Sequence, residues 1–505
     1  MKNTNIIKLG LLILLSTGIL QSRAQETYDK AIADKNQLRR LRLEVEKNPD
    51  IISKHKSYID AMGILNEDLV AQYRVWVDKF PKSAVVPFII GDTLSKVEQP
   101  SARPFLLAAI ERDPKNARAY SRLAFDADRW GDEKGFSDNM KSANILEPTN
   151  PDYAYYYASS LYKFDMTRWR DEMTSVAYKF KAYQRGRQAM FFLADKAQNQ
   201  FEKIYYLQLL RDDFDPKSSW YRVGMEVYFD ILLQINPDKA LVLANEMAAR
   251  PQYVKEWTNY AAVAGLLIKS FGQLRKDPKA AFATLNEIQG LRKDLKFNKI
   301  LPVLKSEALS RMGNNEDAYI YLIKYFSTSP SKEIITAIQN RGKLLGKDSL
   351  TCKNDIRDSL LKKAPLATDF QLKQYFVKGN LSLSAFRGRA VLLTYWFPGC
   401  GPCRAEFPYF ERVIKNYDKD KVAYLAINID KRQNEYVLPF LEKTKYSFIP
   451  LEEQDGRNKG TLDNGHSAPV NFIINKDGRI IFSRFKVEAD TVDELKTMLD
   501  FANAD

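Results

Sequence analysis

Two cysteines, Cys400 and Cys403, enclose Gly401 and Pro402 at the point where an apolar, β-rich run over residues 390–395 gives way to a helical pattern. No other feature restricts the fold as much. The first turn of a helix leaves backbone N–H groups unpaired, and its dipole favours negative charge there. A thiolate at that position is stabilised and its pKa falls. Cys400 is expected just before the helix and in contact with solvent, as a nucleophile. Cys403, one turn in and facing the protein, is expected to be the resolving thiol. Gly401 permits the tight turn, and Pro402 suits a first helical position because the N–H it lacks would be unpaired there anyway. A C-x-x-C pair beside a strand–helix unit reads as a redox dithiol. The competing reading, half of a zinc site, needs about four Cys or His ligands. The chain offers only Cys352, His55 and His466 besides the pair, so no metal is expected.

At 505 residues the chain is long enough for several domains. Lys2 and Lys8, an apolar run over residues 9–20, and Ser22-Arg23-Ala24 before Gln25 read as a signal peptide spanning residues 1–24. The alternative is an uncleaved N-terminal anchor. No later segment is apolar enough to span a membrane, so a soluble protein of the periplasm or cell envelope is expected. Exported proteins keep disulfides, yet cysteines are few here, which suits exchange rather than stapling. The formal charge is +14, and about +10 of it falls in residues 25–365. That excess reads as a solvated basic surface. With no basic-aromatic motif, nucleic acid is not expected as a partner.

Residues 25–345 are rich in Leu, Ala, Lys, Glu and aromatics, with apolar spacings of three and four that predict helices. Pro81, Pro114 and Pro148 lie 33 and 34 residues apart, close to the period of tetratricopeptide repeats. Around the central pair, Leu123, Ala124 and Ala127 are expected to line one helix face. Gly131-Asp132 forms a turn, and Ala143 packs in the next helix. Asn236-Pro237 and Asp277-Pro278 mark later helix starts. The region therefore resembles a degenerate tetratricopeptide array, a generic stack of helical hairpins being the alternative. Such arrays bind extended peptides or other domains on a concave face, and a protein partner is expected there. The aromatic cluster Tyr153, Tyr155, Tyr156, Tyr157, Tyr162, Phe164 and Trp169 is expected mainly to fill gaps between helices. Residues 346–365 read as a linker, with Cys352 in it as a structural cysteine.

From residue 366 the pattern alternates strand and helix. A hairpin is expected over 370–384 and a first central strand over 390–397. The active helix runs from Pro402 to about Tyr417 with Pro408 inside it, and a buried strand covers 422–429. A helix over 434–444, a short strand over 448–451, a hairpin of 470–474 with 479–483, and a closing helix to about Ala502 capped by Thr491 or Asp490 complete the series.

Residues 366–505 resemble the thioredoxin-like fold, and most closely the TlpA/ResA-like thiol-disulfide oxidoreductases of bacterial envelopes. The residues that carry this are 390–396, Cys400-Gly401-Pro402-Cys403-Arg404-Ala405-Glu406-Phe407-Pro408, and Ser467-Ala468-Pro469-Val470-Asn471-Phe472 with the turn that follows. The expected architecture is thus multidomain, an α-helical repeat array followed by an α/β thioredoxin-like domain. The resemblance implies that Pro469 is a cis proline facing the cysteines and that the backbone of Ala468 pairs with substrate. It matches Glu406 to an acid near the buried thiol; positions three and four after Cys403 share its face, although a first-turn acid facing solvent is the alternative. Two departures stand out. Thr394 occupies the position where thioredoxin carries a buried acid, and Gly399 replaces the usual Trp before the first cysteine. Trp396 is left as an aromatic wall for substrate, or as core. His466 reads as a surface-loop residue.

The implied reaction is reduction or exchange of protein disulfides by Cys400 and Cys403. It needs an upstream electron donor and no cofactor beyond the redox disulfide. The alternatives are a peroxidase on the same fold, for which Phe397 stands where a Thr is required, and a helical scaffold whose redox domain is secondary.

Overall fold

The computed structural model describes residues 35–291 and 300–504. The expected signal peptide at 1–24 lies outside the described residues. The chain divides into two compact units, one ending at Tyr153 and the other beginning at Ala154.

The first unit is built of helices of 11 to 14 residues joined by short turns, among them Val85–Lys96, Ala102–Arg112, Ala117–Arg129 and Glu133–Leu146. Pro81, Pro114 and Pro148 each fall in a turn between successive helices, which accounts for their even spacing. Asn116 caps one helix through the N–H of Ala119, and Asp132 caps the next through the N–H of Gly135. Leu123, Ala124, Ala127 and Ala143 are buried where the expected face lies. His55 is buried between Tyr73 Oη and Pro49 O, a satisfied core histidine.

The second unit continues with helices and ends in the α/β domain. Here Tyr155, Tyr157 and Trp169 are buried and Arg185 stacks over Tyr155 and Tyr156, so these aromatics do pack between helices, while Phe164 is exposed. The α/β domain is a seven-stranded sheet in the order β2-β1-β5-β4-β3-β6-β7. Its strands are β1 (Gln371–Gln374), β2 (Asn380–Ser382), β3 (Ala390–Trp396), β4 (Val422–Asn428), β5 (Ile449–Glu452), β6 (Val470–Ile474) and β7 (Ile480–Phe485). β3, β4 and β5 run parallel, and β6 runs antiparallel to β3. β3 and β4 are buried along their whole length, as strands covered on both faces must be. One face packs under α1 (Gly401–Ile414), α2 (Asn434–Thr444) and α3 (Val492–Ala502), through residues such as Leu392, Phe407, Tyr424, Phe440 and Leu499. The other face is filled by Val391, Leu393, Tyr395, Leu425, Phe472 and their neighbours.

Two expectations need correction. The segment read as a linker at 346–365 forms a helix, Ser349–Lys363, capped by Asp348 through the N–H of Thr351. Its Cys352, Ile356 and Leu360 belong to the same hydrophobic cluster as α1 and α3, together with Phe326, Ile334 and Ile338 from the two preceding helices. The chain then continues extended. Pro365 O accepts from the N–H of Ile480, and the N–H of Ala367 donates to Gly478 O. The last array helices and the α/β domain thus share one core instead of being tethered by a flexible link. Thr491 does occupy the N-cap position of α3, but its side chain makes no capping bond. It folds back on Glu488, accepting from its N–H and donating to its carbonyl.

Candidate active site

The active helix α1 begins at Gly401, one residue earlier than the sequence suggested, and Cys400 is its N-cap. Pro402 lies in the first turn, where its missing N–H costs nothing. Cys400 and Cys403 are joined by a disulfide with their Cα atoms 5.3 Å apart. The N–H of Cys403 donates to Cys400 Sγ at 3.2 Å, so the sulfur takes the place of a capping oxygen at the positive end of the helix. Cys403 is fully buried, with Sγ 4.0 Å from the carbonyl of Tyr395.

Cys400 departs from expectation. It is only 4% exposed: its sulfur is bonded to buried Cys403 and the residue packs in the core cluster, while Gly401 and Pro402 are exposed. Trp396 departs too. As a substrate wall it would have to reach the surface, yet it is fully buried. Its ring lies 5.3 Å from Phe407, 5.4 Å from Phe440 and 5.1 Å from Phe448. Strand alternation turns it inward with Leu392, so it is core.

Glu406 is buried, not solvent-facing. Its Oε1 accepts from the N–H of Val487 at 2.9 Å and its Oε2 from the amide of Asn471 at 3.0 Å. Burial pushes its carboxyl above the usual value, and the two hydrogen bonds offset only part of that. A carboxyl with raised proton affinity, three residues after a buried thiol on the same helix, is suited to carry a proton for it.

The Ala468–Pro469 peptide is cis. Val470 pairs with Tyr395 at the C-terminal end of β3, so this peptide lies at the same sheet edge as the cysteines. Ala468 packs against the cluster that contains both of them. The approach is held by fully buried Asn464, whose side-chain amide donates to Ser467 O at 2.7 Å and whose main-chain carbonyl accepts from Ser467 Oγ. His466 is exposed, at a φ of 55°.

Two contributors were not singled out by the sequence. Buried Gln433 accepts the N–H of Gly399 at 2.6 Å and so fixes the loop before Cys400. Asn471 holds Glu406. Neither carries a motif of its own; Asn471 stands in the matched segment, but only its register against Thr394 shows which way it faces. Among the described residues no group of three His, Cys, Asp or Glu side chains is placed to hold a metal.

Residues 362–499 match the Redoxin family. The thioredoxin-like protein YneN of Bacillus subtilis is 30% identical over 142 residues, covering 28% of this chain and 80% of that one. The thiol-disulfide oxidoreductase ResA of Oceanobacillus iheyensis is 29% identical over 117 residues, covering 23% of this chain and 60% of its own. ResA of Geobacillus kaustophilus is 33% identical over 120 residues, covering 23% and 64%. The chain therefore spans less than two thirds of the length of either ResA. Among solved structures, StoA from Bacillus subtilis aligns over 26% of this chain and 97% of its own, at 21% identity and a TM-score of 0.22.

Proposed function

Because this chain belongs, through residues 362–499, to the ResA-like family of thioredoxin-fold thiol-disulfide oxidoreductases, we propose that it exchanges disulfides with protein substrates in the cell envelope. The observation that carries this reading is the Cys400–Cys403 disulfide capping the N-terminus of α1. In the reduced form, Cys400 attacks as the thiolate, which the unpaired N–H groups of that turn stabilise. Attack on a substrate disulfide forms a Cys400–substrate bond and releases one substrate sulfur as a thiolate. The extended substrate lies along the backbone of Ala468 beside Pro469. Cys403 then passes its proton to Glu406 and attacks Cys400 Sγ. The second substrate sulfur leaves, and the protein disulfide seen in the structure is closed. Two electrons have moved to the substrate, and a dithiol donor upstream restores the reduced pair.

The helical array supplies docking or positioning, as its shared core with the α/β domain suggests. No helix among the described residues is long and apolar enough to cross a membrane.

Cys403→Ser is the direct test. Without the resolving thiol, mixed disulfides through Cys400 accumulate in an envelope extract and vanish when Cys400 is also replaced. Failure to recover any such adduct from reduced protein refutes the proposal.

A further inference from the structure

Thr394 on β3 and Asn471 on β6 are register partners, and both are fully buried. Alternation places Thr394 between Leu392 and Trp396, and Asn471 with Ile473, on the sheet face that α1 covers. Both amide hydrogens of Asn471 are engaged, one by Glu406 Oε2 at 3.0 Å and one by Phe485 O at 2.9 Å. Its Oδ1, however, has no hydrogen-bond partner among the described residues, and neither has the hydroxyl of Thr394. A buried polar atom left without a partner pays its desolvation uncompensated. Two of them on paired residues are the setting in which an internal water bridges polar groups. Cys403 Sγ lies 4.0 Å from the carbonyl of Tyr395, the residue next to Thr394.

We propose that Asn471 is a positioning residue for the exchange reaction, holding the Glu406 carboxyl, and that its Oδ1 and the Thr394 hydroxyl bind one internal water between Glu406 and Cys403. The proton of Cys403 then moves through that water to Glu406 as the resolving thiolate forms, and returns when the pair is reduced again. No electron moves in this step. Around Glu406 the titratable and charged groups are Cys403 on its own helix, Tyr424 on β4, and Lys486 and Glu488 on the segment after β7. Tyr424 is buried and its hydroxyl is held neutral by burial, so it does not compete for the proton at ordinary pH. Lys486 and Glu488 act on Glu406 in opposite directions.

This proposal rests on the exchange reading above, and its first readout needs no turnover. The carboxyl titration of Glu406 is followed in the full chain by NMR with carboxyl-labelled glutamate. Asn471→Leu removes a hydrogen bond to the ionised form, so the midpoint rises by about one pH unit. Thr394→Val, isosteric and free of the hydroxyl, moves it the same way by a smaller amount. Asn471→Thr restores a donor and recovers part of the shift. The pH limb of the exchange rate follows the titration while KM for substrate stays put. Should Asn471→Leu fail to fold, Thr394→Val and Asn471→Thr carry the test. Midpoints unchanged in every folded variant overturn the proposal, as does an activity loss confined to KM. Absence of trapped adducts with Cys403→Ser overturns the exchange reading instead.

Discussion

The ring of Phe326 packs 5.0 Å from the ring of Phe501, joining an array helix to the closing helix of the α/β domain. Phe482 of β7 lies 6.4 Å from the same side chain. Phe326 is fully buried and sits in the cluster that reaches α1, so the redox site and the last array helices are stabilised together. The exposed ion pair of Lys332 with Asp493 adds little beside this apolar contact.

Phe326→Ala should therefore cost about 3–5 kcal/mol. Urea denaturation of a fragment beginning at Ala154 should show tryptophan fluorescence and helical signal lost in one step. For the same reason, a fragment of residues 366–505 leaves Phe482 and Phe501 uncovered. It should be far less soluble than one beginning at Ala154, which sedimentation of the two fragments would reveal.

Glu406 gives a pH-dependent stability with a definite sign. Its carboxyl binds its proton more tightly in the folded chain than in the unfolded one, because burial penalises the charge. The protonated form thus contributes stability that is fully present below the ordinary glutamate value. That contribution is lost as pH rises through the folded value. Glu406→Gln cannot ionise and should lack this decline. Urea midpoints from pH 4 to 8 should fall for the wild type relative to the variant, while the variant resolves mixed disulfides more slowly at every pH.

The opposite sign holds on the other face of the sheet. Glu453 accepts from Arg457 Nε at 2.7 Å and from Nη2 at 2.9 Å, and the same guanidinium donates to Tyr395 Oη at 3.0 Å. Burial works against the carboxylate, but the hydrogen bonds and charge of Arg457, with Lys459, outweigh it and hold the carboxyl below its usual value. That stability is present above the ordinary value and is lost as pH falls through the depressed one. Arg457→Met strands a buried carboxylate and should cost about 3 kcal/mol, the low end for a broken buried pair because Lys459 remains. The defect should be largest near neutral pH and shrink as the pH falls and the stranded carboxyl takes up its proton, which urea denaturation of both proteins at pH 7 and pH 4 would show.

What the sequence could and could not disclose follows from the same physics. The helix Asn434–Thr444 and the strand Val470–Ile474 were legible at their observed bounds, since each is a strong periodic or β-branched run between clear breakers. The cysteine pair was legible because its spacing has few other uses, whereas Glu406 rested on the resemblance, with a solvent-facing first-turn acid as the alternative. The helix Ser349–Lys363 was missed because its buried stripe is one residue wide, Cys352, Ile356 and Leu360, which leaves little periodic signal. Trp396 stayed open between substrate wall and core because β3 is buried on both faces, so no alternation shows which way it points. Asn471 was invisible as a site residue because its contact with Glu406 is a side-chain hydrogen bond between a strand and a helix 65 residues apart in sequence.

Cys352 offers a last test, one that separates packing from chemistry. It is buried, and a Cβ on Gly342 would overlap its sulfur and come within 3.3 Å of the Tyr319 ring. Gly342→Ala should then destabilise by about 1–3 kcal/mol through overpacking, and Cys352→Ala by about 1 kcal/mol through a small cavity. Combined, the two changes compensate, because the added methyl enters the volume the sulfur leaves. The double variant should be more stable than Gly342→Ala alone, with a coupling of at least about 0.5 kcal/mol in a urea double-mutant cycle. Exchange through Cys400 and Cys403 should proceed at the wild-type rate in all three. A slowed rate in Cys352→Ala at unchanged stability would make this thiol a third participant in the redox chemistry.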